Sequence, residues 1–135
     1  AEDEPAVAFD VNAWAVRHLA RAAVDAGAAF VHYSTDFVFD GETTRPYSED
    51  DTPNPRSVYG MSKLMGEWMA SEVPRAYVMR VESLFGGSAS RSTLDRMRAT
   101  LEAGGNVSAF TDRVVSPSYV PDVASATRRL IEQGA

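Results

Sequence analysis

A chain of 135 residues with a formal net charge of −6, 44% hydrophobic and 24% charged residues and no cysteine has the size and balance of one globular domain. The missing cysteines exclude disulfides and thiolate metal sites, and no apolar run nears the roughly 18 residues of a membrane span. The 13 Lys and Arg residues are scattered rather than clustered, which argues against a nucleic-acid partner. With no basic segment followed by an apolar core at its start, the chain is expected to be cytoplasmic and not membrane-bound. A local basic pocket for a small charged substrate stays open.

Residues 6–26 repeat apolar side chains at Val7, Val11, Trp14, Ala15, Leu19, Ala22 and Val24, a period near 3.6, with Pro5 suited to a first turn and Gly27 just past the end. This predicts a helix. Residues 28–33 are a short apolar run followed by turn formers and predict a buried parallel strand, against whose sheet the helix packs. Residues 36–55, with Asp40-Gly41, Pro46, Pro53 and Pro55, predict a long surface loop. Ser57 is placed to cap a helix reaching about Glu72, which Pro74 stops. A second strand is expected at 76–81, a helix at 92–103 closed by Gly104-Gly105, a short strand at 107–110, a loop at 111–119 and a last helix at 123–132. Strand and helix in alternation predict an α/β fold with a doubly wound parallel sheet.

In such sheets the reactive groups sit beyond the carboxyl ends of the strands. The helix after Ser57 carries Tyr59 and Lys63 four positions apart, hence on one face. A phenol titrating near 10 is a poor acid toward a neutral carbonyl, and a neighbouring ammonium stabilises the phenolate, so Tyr59 reads as proton donor and Lys63 as its tuner. The same spacing also describes an amphipathic helix with a solvated lysine. Thr35, in the Ser34-Thr35-Asp36 segment that follows the first strand, can offer a hydroxyl to a substrate oxygen or satisfy a local turn. Arg80 reads as a structural ion-pair partner, and Asn12 as either a rim hydrogen-bonder or an ordinary helix position. Met65, Trp68 and Met69 read as the buried face of the Tyr59 helix, as a homodimer contact, or as a docking surface.

Three stretches in register, Ser34-Thr35-Asp36-Phe37-Val38-Phe39-Asp40-Gly41, Tyr59-Gly60-Met61-Ser62-Lys63-Leu64-Met65-Gly66-Glu67 and Ser116-Pro117-Ser118-Tyr119-Val120-Pro121-Asp122-Val123-Ala124, resemble the extended short-chain dehydrogenase/reductases, and among them the dTDP-4-dehydrorhamnose reductases. The resemblance implies a partial NAD(P)-binding Rossmann fold over residues 1–135, with substrate-side elements within 83–120. It implies a catalytic set of Thr35, Tyr59 and Lys63, with Tyr59 and Lys63 also holding NADPH or NADH. Thr35, Asp36 and Ser83 would then face a nucleotide-linked 4-keto-6-deoxy sugar. Ser83 stands where these reductases tend to place a tryptophan against the sugar. The glycine-rich pyrophosphate fingerprint has no counterpart, and the chain starts at Ala1 in a helical pattern, so the expectation is a piece of a longer protein that binds dinucleotide weakly by itself. Two other functions share these motifs: a nucleotide-sugar epimerase or dehydratase, and a regulatory subunit like the beta subunit of methionine adenosyltransferase.

Overall fold

A computed structural model describes residues 1–87 and 92–134. The helix expected at 6–26 is present in three pieces: α1, Pro5–Phe9; a π-turn, Asp10–Trp14; and α2, Ala15–Asp25. Pro5 opens it, and Gly27 at φ +63° closes it, with Ala28 N–H donating to Ala23 O at 2.8 Å and Gly27 N–H to Val24 O at 3.0 Å. These two bonds form a Schellman cap, which needs a residue that enters the left-handed region without strain. The buried side is lined by the small residues Ala8, Ala13, Val16 and Ala20, whereas Val7, Val11, Trp14, Leu19 and Val24 are 41–61% exposed. The period was therefore right, but the large apolar side chains lie outward.

Strand β1, Phe30–Thr35, starts two residues later than expected, and β2, Ala76–Val81, falls where expected; the two pair in parallel. A 3-10 turn, Asp36–Val38, leaves β1. Helix α3, Val58–Ser71, follows the long loop, with Ser57 as its cap. The first helix packs chiefly on α3 rather than on the sheet, which it reaches through α2 and β1. Small residues explain this: Ala13 and Ala20 on one side, and Gly66 and Ala70 on the other, let the helices close on each other.

The loop is tied by its own side chains. Asp40 accepts from Tyr47 Oη at 2.6 Å, Asn54 Nδ2 at 2.8 Å and the Glu42 amide at 3.0 Å, and Phe39 stacks on Tyr47 with centroids 4.2 Å apart. These bonds to its charged form hold the Asp40 carboxyl down at about 2.

The chain divides into two compact units, Ala1–Arg80 with Gly134, and Val81–Gln133. In the second, α4, Thr93–Glu102, carries a capping box in which Ser92 and Asp95 exchange bonds. Helix α5, Val120–Gln133, begins three residues before the expected start. The strand expected at 107–110 is not formed: this stretch has no partner ladder among the described residues, and Phe110 is 72% exposed beneath the Arg113 guanidinium. Instead, the segment following β2 pairs with the approach to α5, through a parallel bridge between Phe85 and Tyr119.

Candidate active site

The amino-terminal turn of α3 carries the phenol. Ser57 Oγ accepts from Gly60 N–H at 3.0 Å, the cap expected from sequence. The Glu2 carboxylate accepts from the Val58 and Tyr59 amides, each at 3.2 Å. The Tyr59 carbonyl accepts from Ser62 Oγ at 2.8 Å, and Ser62 Oγ in turn accepts from Asn12 Nδ2 at 3.1 Å. Asn12 is thus a buried-side tie, one of the two roles open to it in the sequence. The Tyr59 ring meets Phe37 edge-on, centroids 5.9 Å apart, and the residue is 38% exposed.

One turn further, Lys63 Nζ donates to Tyr33 O at 2.5 Å, which holds the ammonium against the carboxyl end of β1. Burial pushes its pKa down, partly opposed by the Glu67 carboxylate. Glu67 is buried and chelates Arg80 through two bonds, at 2.9 and 2.7 Å, while the guanidinium also covers the Phe39 ring. Arg80 is therefore the structural ion-pair partner expected, with Glu67 as its mate. Trp68 is 62% exposed and does not belong to the buried face of α3, which is made by Gly60, Ser62, Leu64, Gly66, Glu67 and Ala70.

Beneath α3, strand alternation aims His32 and Ser34 inward; among the described residues, His32 Nε2 and Ser34 Oγ lack a hydrogen-bond partner. Burial, then the Lys63 charge, lowers the His32 pKa from 6.5 to about 4, with Glu67 opposing. The folded chain therefore resists a proton that the unfolded chain accepts. This contribution to stability is complete above pH 6.5 and is lost as pH falls toward 4. Urea unfolding of His32→Leu should lose up to about 3 kcal/mol less stability than wild type across that window. Parallel pH profiles would contradict this.

Thr35 is buried, and its Oγ1 accepts from Phe37 N–H at 3.3 Å while donating to Asp36 Oδ1 at 2.9 Å. In this structure the hydroxyl has the local-turn role, so donating to a sugar oxygen would require it to exchange the Asp36 bond. Ser83, in the second unit, is exposed and adopts φ +43°, a left-handed backbone that costs a serine about 1 kcal/mol. It lies between Glu82, which accepts from Ser118 N–H at 2.9 Å, and the Phe85 bridge. The structure thus brings Tyr59, Lys63, Tyr33 and the Thr35–Phe37 turn to one strand end. Sequence reasoning missed Glu2, His32 and the Ser62 tie, since each acts across a long separation or from an inward strand position without a local pattern.

The chain matches known proteins along its whole length. A family model described as RmlD substrate binding domain matches residues 1–135. The chain is 41% identical over 138 residues to a probable low-salt glycan biosynthesis reductase, Agl14, of Haloferax volcanii, covering 98% of this chain and 46% of that protein. It is 39% identical over 139 residues to a dTDP-4-dehydrorhamnose reductase of Mycobacterium tuberculosis, covering 99% and 46%. The crystal structure of dTDP-4-dehydrorhamnose reductase from Bacillus anthracis in complex with NADP superposes with a TM-score of 0.91 at 31% identity, covering 99% of this chain and 48% of that one. The chain spans about half the length of the curated relatives it matches. Matched along its whole length, and with the Tyr59–Lys63 helix set against the end of a parallel strand, the chain belongs to the RmlD substrate binding domain family of extended short-chain dehydrogenase/reductases.

Proposed function

We propose that this chain forms part of an NAD(P)-dependent reductase of a nucleotide-linked 4-keto-6-deoxy sugar, with Tyr59 as the proton donor. The observation that carries the reading is the seating of Lys63 Nζ on Tyr33 O, one turn from an exposed Tyr59. An ammonium has three N–H donors, so this bond leaves capacity for the hydroxyls of a nicotinamide ribose. The residues present therefore fit the sugar end of such a cofactor. When bound, NADPH or NADH supplies the hydride. The chain's own part is to hold the ribose at Lys63, to orient the keto oxygen toward Tyr59, and to deliver a proton there as negative charge develops on that oxygen. Thr35, Asp36 and Ser83 are assigned to the sugar, with residues 83–120 as substrate-side elements of the reductase domain. Trp68, exposed on α3, is assigned with Met65 and Met69 to contact with a second copy.

The test is Lys63→Met in the full-length protein. Cofactor dissociation constant and turnover should both worsen by about tenfold or more, because one residue serves binding and acid tuning together. Unchanged cofactor affinity would make Lys63 a surface charge and remove the support for the reading.

A further inference from the structure

We propose that Glu2 is a positioning residue for Tyr59, acting through the backbone of α3 rather than on any reacting atom; this rests on the reading of Tyr59 as proton donor. A helix begins with four N–H groups that have no partner within it. In α3 the Val58 and Tyr59 amides go to the two Glu2 oxygens at 3.2 Å each and Gly60 N–H goes to Ser57 Oγ at 3.0 Å, after which the first helical bond runs from Met61 N–H to Ser57 O at 2.9 Å. Two of the three orphan amides from Val58 to Gly60 are thus met by a carboxylate 56 and 57 residues away in the chain. Its negative charge also meets the positive end of the helix dipole.

The tie falls on the one residue whose placement matters most. Tyr59 is held at its amide by Glu2 and at its carbonyl by Ser62 Oγ, which Asn12 Nδ2 holds in turn. Both anchors come from the segment that precedes β1, so the start of that segment and the phenol move as one body. Glu2 is exposed, and an exposed carboxylate contributes little to global stability. A displaced acid is another matter, because a misplacement of about 1 Å can cost turnover on the order of 10²-fold.

The experiment compares Glu2→Ala and Glu2→Gln in the full-length protein, each alone and combined with Tyr59→Phe. Glu2→Ala should lower kcat about tenfold with KM within about twofold, Glu2→Gln should recover part of the loss through its remaining carbonyl acceptor, and in the Tyr59→Phe background Glu2→Ala should change the residual kcat less than about twofold. Amide hydrogen exchange at Val58 and Tyr59 should quicken in Glu2→Ala. An unchanged kcat would overturn the proposal, and so would an equal loss in both backgrounds, which marks a structural effect that bypasses the phenol. Turnover surviving Tyr59→Phe alone would instead overturn the donor reading, and the Glu2 proposal with it, a result seen without any Glu2 variant.

Discussion

Replacing Tyr59 with phenylalanine in the full-length protein is expected to lower kcat by about 10²–10⁴-fold, the usual worth of a positioned general acid, with KM nearly unchanged. The split follows from the role: the proton is needed only as the carbonyl is reduced, so ground-state binding does not use it. The geometry makes the substitution clean. The ring keeps its edge-on contact with Phe37, and Tyr59 is 38% exposed, so loss of the hydroxyl leaves no buried group without a partner. Steady-state kinetics, with circular dichroism to confirm the fold, make the check. Turnover within a few-fold of wild type would mean that another group supplies the proton.

The second large effect is structural. Glycine to alanine inside a helix ordinarily stabilises by up to about 1 kcal/mol, and Gly66 lies near the middle of α3. Here the sign should reverse. A Cβ on Gly66 would lie 2.2 Å from Asn12 O and 3.1 Å from His32 Nε2. The first is a backbone carbonyl inside the π-turn, which cannot rotate aside as a side chain would. Overpacking of this kind costs about 1–3 kcal/mol or more, so Gly66→Ala should lower Tm by about 10 °C. A Tm that is unchanged or higher would show that the π-turn gives way freely.

The same glycine explains what the sequence could and could not disclose. Helices α3 and α4 and strand β2 were legible because their ends are marked locally: Ser57 and Pro74 bound α3, Gly104-Gly105 closes α4, and β2 is a short apolar run before a turn. The π-turn has no such mark, since Asn12 O is placed by a close approach to α3 and not by neighbours in sequence. The outward placement of Val7, Val11 and Trp14 was equally hidden: a period gives two faces, and which one is buried depends on the small residues of the partner helix. At residues 107–110 the local pattern favoured a strand, and the lack of a partner ladder prevailed. For the site, the spacing of Tyr59 and Lys63 gave the shared helix face, and the three motifs gave the family. The Tyr33 carbonyl under Lys63, the Glu2 clamp and the Asp36 bond to Thr35 needed the fold.

Hydride transfer by the full-length protein tests the central claim most directly. Supplied with NADPH and a nucleotide-linked 4-keto-6-deoxy sugar, it should consume one cofactor per sugar reduced, about 10²–10⁴-fold faster in wild type than in Tyr59→Phe. If both ligands bind and no cofactor is consumed, the Tyr59–Lys63 helix serves binding alone and the regulatory-subunit reading takes the place of the reductase.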